Sequence, residues 1–339
     1  MNITLLLRSP GTGHSIESLV AGIGQELARE PADTVRVVTM PHVSRGIRSV
    51  WQNLRFVARL TRTSPADVYH ITGDVHYLAL VLPPSRTVLT IHDAITLHQN
   101  RRRPVRWLVF WLLWFYWPMR RAAVVTTVSD KTRQELRRYV GRRADAVVVV
   151  PNAPDPIFQY SPRPFRSDYP VLLQLGTAPH KNLPRLIDAL TGLRCRLVLV
   201  GPLSPQLTEQ LDRCRIDYES YADLSQAAIF QLYTNCDLVT FVSVYEGFGM
   251  PILEANAVGR VVITANRQPM RTVAADAALL VDPTDVAAIR AGIVRLMADE
   301  TCRSERIAAG LQNANRYSTA QMARDYRAVY TSIGSGNYR

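Results

Sequence analysis

Two carboxylates flank a glycine-rich turn in the stretch YEGFGMPILEANAVGR, which occupies residues 245–260. Pro251 suits the first turn of a helix because its missing N–H is not needed there, and Gly259 suits the position just past a helix end. The stretch therefore predicts a short helix after the turn, with Glu246 before it and Glu254 in its first turns.

This arrangement combines an anion site with acceptors for hydroxyl groups. The turn leaves backbone N–H groups free, Gly247 and Gly249 let a ligand approach closely, and a helix start favours a phosphate. A carboxylate on each side of that phosphate can accept hydrogen bonds from hydroxyls. A molecule with hydroxyls at both ends and phosphate in the middle is a nucleotide sugar. The alternative, a surface helix with two solvated acids, leaves the glycines and the proline unexplained.

A lysine in the segment LGTAPHKNLPRLIDAL, residues 175–190, adds a cation to this chemistry. Lys181 precedes Asn182, a candidate N-cap, and anions collect at a helix start. The Gly176–Thr177 turn before it argues against the alternative of a solvated lysine. We therefore expect Lys181 to face a bound anion.

Short apolar strands alternate with helical patterns along the chain. Strands are expected at residues 3–7, 35–40, 67–72, 87–93, 123–129 and 146–152, and again at 171–176, 196–201, 237–243 and 260–265. Apolar strands without alternation suit a parallel sheet covered on both faces, and the helices between them indicate repeated βαβ units. The sequence predicts an α/β protein with two doubly wound, Rossmann-like domains in tandem.

The boundary between the halves is expected in the segment 153–170, which holds five prolines and little periodicity. We assign residues 1–160 to an N-terminal domain and residues 161–317 to a C-terminal domain. Residues 318–339 are predicted to form a final helix that packs back toward the first domain.

Charge and cysteine content limit the classes of protein that fit. The 339 residues include 40 Arg and Lys against 28 acidic residues, for a net charge of +12. This excess indicates anionic partners, or else a genome that favours arginine. The four cysteines form no C-x-x-C pair, so neither a zinc nor a redox motif is supported, and a reducing compartment fits.

The N-terminal apolar run reaches glycine too soon for a signal peptide, and no uncharged apolar run could span a bilayer.

The segment RRRPVRWLVFWLLWFYWPMRR, residues 101–121, carries four of the five tryptophans. Apolar and aromatic residues flanked by arginines are typical of contact with a membrane interface. The alternative is a core helix of the N-terminal domain, which Pro118 and the strand after it favour. Partial exposure would still permit peripheral membrane contact and a lipid-linked acceptor.

The motif E-G-F-G-x-P-x-x-E-A at residues 246–255 resembles the signature of retaining glycosyltransferases of family 4, which have the GT-B fold. Other segments resemble the same family: G-T-x-x-x-K-N-L at 176–183, the strand and loop at 261–285, and DVYHITGDVHYLAL, TIHD, TTVSDKT and VVPN. The N-terminal segments are similar to a bacterial subgroup that builds cell-envelope polysaccharide. The resemblance implies an acceptor-binding and a donor-binding Rossmann-like domain that face each other across a cleft.

The resemblance also implies a role for each residue of these motifs. Glu246 would hold hydroxyls of the donor sugar, Glu254 would grip the ribose, and Lys181 would neutralise the leaving diphosphate. His92, at the carboxyl end of a strand, would meet the donor sugar, although a structural pair with Asp93 is the alternative. A larger set would contact the donor nucleotide sugar: Gly13, Gly176, Thr177, Phe248, Gly249, Met250, Ile252 and Leu253.

Two departures from the family pattern concern the phosphate site and a nearby loop. Many members carry an arginine beside the lysine, whereas this chain has Thr177 and His180. Arg267 and Arg271 are the candidates for a second cation. The family's loop glutamate is replaced here by Thr272.

The N-terminal half offers candidates for the acceptor side. The loop SPGTGHSIE at residues 9–17 has a G-x-G but lacks the third glycine of a dinucleotide fingerprint. Gly13 and His14 are therefore candidates for the cleft, with an ordinary βα turn as the alternative. Another strand ends at three candidates for the acceptor side: His70, Asp74 and His76.

We expect a retaining, metal-independent hexosyltransferase that uses a nucleoside diphosphate sugar, with mannose as a candidate. Its acceptor would be a hydroxyl of a saccharide or a polyprenyl-linked saccharide. No Asp-x-Asp is present to hold a metal, and no second carboxylate is placed as a nucleophile, so front-face substitution is expected. No cofactor and no nucleic-acid partner are expected. The expected location is the cytoplasm, at the inner face of the cytoplasmic membrane if residues 101–121 touch lipid.

Three other classes compete with this interpretation. A nicotinamide-dependent oxidoreductase would need a complete G-x-G-x-x-G after the first strand, which is absent. A nucleic-acid-binding protein would need a recognition motif, and residues 101–121 are too apolar to provide one. A non-catalytic protein that binds nucleotide sugars would share every motif, so only an activity measurement separates it from the enzyme.

Overall fold

The chain forms two compact units, each built around a six-stranded parallel sheet. The computed structural model describes residues 1–9 and 14–334. Unit 1 comprises Met1–Asn152 together with Thr319–Arg339, and unit 2 comprises Ala153–Ser318. Residues 153–160, assigned above to the first domain, thus group with unit 2.

The sheet of unit 1 reverses its direction of growth beside its first strand. Its strands are β1 (Asn2–Leu7), β2 (Thr34–Thr39), β3 (Val68–Ile71), β4 (Thr87–Ile91), β5 (Val124–Thr127) and β6 (Val148–Val149). They lie in the order β2-β1-β3-β4-β5-β6 with parallel pairing. The apolar runs of β1, β3 and β4 are buried, as expected for strands covered on both faces.

Helices cover this sheet: α1 (His14–Leu27), α2 (Ile47–Thr63), α3 (Ile95–Gln99), α4 (Pro104–Phe110), α5 (Trp117–Arg121) and α6 (Asp130–Val140). A π-helical turn at residues 111–116 joins α4 to α5. Phe115 and Met119 of this segment are buried in the core, whereas Val105 and Trp117 are well exposed. Residues 101–121 therefore contribute to the core and also present an apolar outer face. Among the described residues, no helix has both the length and the apolarity that crossing a bilayer requires.

Unit 2 repeats the doubly wound pattern. Its strands are β7 (Val171–Leu175), β8 (Arg196–Val200), β9 (Asp217–Tyr221), β10 (Leu238–Phe241), β11 (Val261–Ala265) and β12 (Ala278–Val281), in the order β12-β11-β10-β7-β8-β9. The sheet therefore reverses between β7 and β10. Strands β9 and β12 were not predicted. The edge strand β9, DYESY, is polar and lacks an apolar run, and β12, ALLV, is only four residues long.

Helices of unit 2 pack around a core of leucine, isoleucine and valine. They are α7 (Leu183–Leu190), α8 (Pro205–Arg213), α9 (Gln226–Asn235), α10 (Met250–Val258), α11 (Met270–Ala274), α12 (Val286–Ala298) and α13 (Glu300–Asn315). The proline-rich stretch before β7 is anchored to this unit. Phe158 packs edge-on against Tyr233, with ring centres 5.4 Å apart, and Arg166 pairs with Asp237 at 2.7 Å.

The last helix, α14 (Thr319–Gly334), belongs to unit 1 and seals a buried polar network there. Tyr330 Oη lies 2.8 Å from His70 Nδ1, and Thr90 Oγ1 lies 2.6 Å from His70 Nε2. Tyr326 Oη is 3.2 Å from the same threonine oxygen. Each polar atom of this network therefore has a partner away from water, as buried polar groups require.

Candidate active site

The strands at which the sheet of unit 2 reverses, β7 and β10, lead into the loops that carry the predicted residues. Gly176 and Lys181 follow β7, and Glu246 follows β10. Open α/β sheets bind ligands at the carboxyl ends of strands beside such a reversal. We call this group of residues the β7–β10 corner: Gly176, Lys181, Glu246, Gly249 and Glu254.

An ion pair joins the two loops of the β7–β10 corner. Lys181 Nζ donates to Glu246 Oε1 at 2.7 Å, and both side chains are largely buried. The ammonium lies 4.9 Å from the centre of the Phe241 ring. Gly176 has φ +86°, and a Cβ at this position would stand 2.9 Å from Lys181 Cε. The lysine stem therefore occupies space that only glycine leaves free.

The second carboxylate lies inside α10. Gly249, with φ +125°, precedes the helix, Pro251 is in its first turn, and Gly259 ends it in the left-handed conformation. Glu254 is only 7% exposed and accepts a hydrogen bond from Tyr233 Oη at 2.6 Å. Burial raises the pKa of Glu254 to about 7, although the Tyr233 hydrogen bond and the Lys181 charge both act to lower it.

Two residues that position the corner were missed or misread from the sequence. Tyr233, in α9, was not predicted, because only tertiary packing brings its hydroxyl to Glu254. Asn182 precedes α7, as expected of an N-cap, but its side chain caps nothing. Its amide nitrogen instead donates to the carbonyls of Val242 and Pro283, at 3.0 and 2.6 Å, and so ties the lysine loop to two other loops.

The remaining predicted donor contacts lie on the same loops, and their roles stay predictions. Thr177 Oγ1 donates to the Pro202 carbonyl at 2.5 Å, which braces the loop after β8. The N–H of Ile252 donates to the Gly249 carbonyl at 3.1 Å, so an anion would have to share that donor. Phe248 and Leu253 are buried, and Met250 is the first residue of α10.

The candidates for a second phosphate cation have exposed positions. Arg267 and Arg271 are both exposed. Hydrogen bonds from Thr284 lower the pKa of Asp282, and the charge of Arg267 adds to this effect. Thr272 Oγ1 donates to Gln268 Oε1 at 2.8 Å, a local bond within the loop and α11. None of these contacts identifies the second cation.

In unit 1, His92 follows β4 as predicted. Its Nε2 donates to the Thr72 carbonyl at 2.7 Å, which leaves Nδ1 as the acceptor of the neutral ring. Burial lowers the pKa of His92, and the nearby Arg8 charge acts in the same direction. Asp93 Oδ1 accepts the N–H of Ile95 at 2.9 Å and so helps to start α3. The role of His92 at the donor sugar stays a prediction.

The neighbouring histidines do not suit the acceptor role proposed for them. His70 is buried in the network beneath α14, and burial lowers its pKa to about 3. His76 Nδ1 donates to the Trp114 carbonyl at 2.7 Å, and burial lowers its pKa to about 4. Asp74 is exposed and its carboxylate lies 3.7 Å from Arg8, and its acceptor role stays a prediction. Gly13 lies outside the described residues, as does the side chain of His14.

Both halves of the chain match models of known protein families. Residues 4–157 match the model described as Glycosyltransferase Family 4, and residues 159–313 match the model described as Glycosyl transferases group 1. The two matches together cover nearly the whole chain. The chain belongs to glycosyltransferase family 4. This glycosyltransferase has the GT-B fold, with two six-stranded sheets like those of solved structures that it resembles.

Curated relatives of this glycosyltransferase include bacterial mannosyltransferases. O-antigen chain mannosyltransferase B from Escherichia coli is 33% identical over 222 residues, which cover 58% of this chain and 57% of the relative. A phosphatidyl-myo-inositol mannosyltransferase from Mycobacterium leprae is 27% identical over 223 residues, 61% of this chain and 59% of that protein. The matches thus span little more than half the length of these two relatives.

Solved structures of similar fold cover almost all of the glycosyltransferase chain. Sucrose-phosphate synthase from Thermosynechococcus elongatus aligns with TM-score 0.83 at 16% identity, over 99% of this chain and 100% of that one. HepE from Anabaena, in complex with UDP and glucose, aligns with TM-score 0.75 at 18% identity, over 98% and 100%. At these identities the likeness establishes the fold.

Gly176→Ala should displace Lys181 and lower the sugar-transfer rate at least tenfold. The new Cβ would collide with the lysine stem, and the positive φ would cost about 1 kcal/mol of stability. Gly192→Ala is the matched control, since Gly192 has φ +74° and no atom within 4 Å of its added Cβ. Thermal melts should show similar losses for both variants. Equal rates in the two would contradict the steric explanation.

Glu254→Gln should stabilise the fold more at pH 8 than at pH 5. The folded pKa of about 7 lies above the ordinary 4.5, so ionisation favours the unfolded chain as pH rises between these values. From pH 5 to pH 8, the unfolding free energy of the variant should rise by about 2 kcal/mol relative to that of the wild type. Denaturant titrations at both pH values measure it. Glu209→Gln, on an exposed face of α8, is the control. If the difference in unfolding free energy were the same at both pH values, the raised pKa of Glu254 would be refuted.

Proposed function

We propose that this glycosyltransferase transfers a hexose, with mannose as the first candidate, from a nucleoside diphosphate to a hydroxyl acceptor. The acceptor would be a saccharide or a polyprenyl-linked saccharide. The observation that carries the proposal is the β7–β10 corner, where an ammonium group, two carboxylates and a helix start converge. The mannosyltransferase names of the relatives support the sugar, and the UDP and glucose held by HepE support the donor class.

The corner divides the donor into three parts. Glu246 would accept hydrogen bonds from sugar hydroxyls. Glu254, in its ionised form, would accept hydrogen bonds from the ribose hydroxyls. Lys181, which pairs with Glu246 when no donor is bound, would pair with the diphosphate, the part of the donor between the sugar and the ribose. Charge that develops on the leaving group would be stabilised by this ammonium and by N–H groups at the start of α10, without a metal or another cofactor.

The transfer itself is proposed to retain the anomeric configuration. The bond between the anomeric carbon and the diphosphate oxygen would break as the acceptor oxygen approaches from the same face. The acceptor hydroxyl would give its proton to the departing phosphate oxygen, so the products would be the glycoside and the nucleoside diphosphate. This route needs no carboxylate nucleophile.

A peripheral membrane contact is also proposed, because a polyprenyl-linked acceptor resides in lipid. The exposed apolar side chains of α4 and α5, among them Val105 and Trp117, with the arginines at 101–103, have the composition of an interfacial surface. The enzyme would act in the cytoplasm, at the inner face of the cytoplasmic membrane.

A panel of nucleoside diphosphate sugars should identify one donor that the purified protein binds and turns over. Thermal-shift screening reveals binding, and NMR of the purified product reads the new anomeric centre. An α-linked donor should give an α-linked product. A β-linked product would contradict retention, while the absence of binding and turnover with every donor would contradict sugar transfer by this chain.

Lys181→Ala and Glu246→Gln should each lower kcat by about 10²–10³ with the identified donor, because loss of one preorganised group has effects of that size. Lys131→Ala is the matched control. Lys131 is the only other lysine, and it also forms a largely buried ion pair, with Glu135 at 2.9 Å. Full activity in the two corner variants would show that this corner does not bind the reacting end of the donor.

A further inference from the structure

The net positive charge of the protein comes entirely from unit 1. This unit holds 24 of the arginine and lysine residues against 11 acidic residues, whereas unit 2 holds 16 against 17. A genome that favours arginine would enrich both units in uncompensated charge. The asymmetry therefore indicates that unit 1 meets an anionic partner that unit 2 does not meet.

Helix α2 concentrates this charge on one face. Its inward face buries Asn53, Val57 and Leu60 in the core. The outward face carries four exposed arginines and no acidic side chain: Arg48, Arg55, Arg59 and Arg62. No acidic residue occurs anywhere between residues 34 and 66. Solvent-facing helices usually mix both signs of charge, so this face is unlike an ordinary solvated one.

A groove of about 650 Å³ runs along this outward face. Arg55, Arg59 and Arg62 line it together with Trp51 and Phe56. The Arg55 guanidinium stacks over the Trp51 ring at 4.5 Å. Among the described residues, no ion pair or hydrogen bond engages the guanidinium groups of these three arginines. Their donors are thus free for an anionic ligand, with aromatic surface beside them.

Exposed apolar side chains extend the same surface. Ile47, at the start of α2, is 90% exposed, and Trp51, one turn later, is 53% exposed. Nine of the thirteen well-exposed large apolar side chains among the described residues lie between residues 37 and 117. Nucleic acid could use the arginines and stack bases on Trp51, but it has no use for an aliphatic side chain as exposed as Ile47. A bilayer uses arginines and apolar tips together.

Helix α2 and the tryptophan-rich segment approach each other inside unit 1. Tyr77 Oη accepts a hydrogen bond from Asn53 of α2 at 2.9 Å, and its ring centre lies 5.0 Å from that of Trp114. One buried tyrosine therefore contacts both elements, whose outer faces carry the exposed apolar and basic side chains.

We propose that the outward face of α2 docks on an anionic membrane, with lipid phosphates bound in the groove formed by Arg55, Arg59 and Arg62. Trp51 and Ile47 would enter the headgroup region beside them. The proposal rests on the membrane contact proposed above for residues 101–121 and adds a second element with a stated lipid chemistry. It does not depend on the donor or on the transfer reaction.

Co-sedimentation of the full chain with lipid vesicles tests the proposal without any sugar substrate. Binding should be strong to vesicles of phosphatidylcholine with phosphatidylglycerol and weak to phosphatidylcholine alone. The triple variant Arg55→Gln, Arg59→Gln, Arg62→Gln should weaken binding to the anionic vesicles by about tenfold or more. Trp51→Ala should weaken it severalfold, as an aromatic anchor would.

The matched control is Arg138→Gln, Arg142→Gln, Arg143→Gln, which removes the same charge from exposed positions of the same unit. Wild-type binding in this control supports a localised site, whereas equal loss in both triple variants overturns it in favour of diffuse attraction. Binding that is equal for anionic and neutral vesicles also overturns it.

Two further measurements test other partners. Gel shifts detect RNA binding and light scattering detects self-association. If either depends on α2 and vesicles are not bound, RNA or a second copy of the chain replaces the membrane as partner. If the triple variant misfolds in circular dichroism, Arg59→Gln alone applies the same test.

Discussion

An ammonium group held between two loops organises the β7–β10 corner. Lys181 is one of only two lysines in a chain with 38 arginines, and its stem passes Gly176 where a Cβ would be only 2.9 Å away. A lysine ends in a compact charge on a slender stem, whereas a guanidinium is a broad planar fork. The narrow passage beside the glycine backbone therefore suits a lysine, and it directs that charge toward both carboxylates.

This arrangement trades stability for chemistry. Burying Glu254 beside so few polar partners raises its pKa to about 7, and only the Tyr233 hydroxyl and the Lys181 charge offset the cost of its ionisation. The backbone is also forced into positive φ at Gly176, Asn182 and Gly249. The two glycines adopt this conformation without steric cost, and a large apolar core in the same unit offsets the cost of the buried carboxylate.

The two units share one architecture but differ in net charge. Unit 2 is electrically balanced, so its local cation at Lys181 stands out against a neutral background. Unit 1 carries the whole charge excess, much of it on α2 and around residues 101–121. In unit 1 the terminal helix α14 is fixed by the Tyr330 hydroxyl on His70 and the Tyr326 hydroxyl on Thr90. His70 therefore serves the fold.

The sequence by itself determined the strand and helix alternation, the bounds of α10 and the placing of Lys181, Glu246 and Glu254 on strand-end loops. These depend on local rules: apolar runs, a proline at a helix start and a glycine at its end. The tertiary structure alone decided that Tyr233 reaches Glu254, that Tyr330 meets His70 across 260 positions, and that β9 forms a polar edge. Such pairings depend on which surfaces meet after folding, and no local pattern encodes the distance between residues that are remote in the chain.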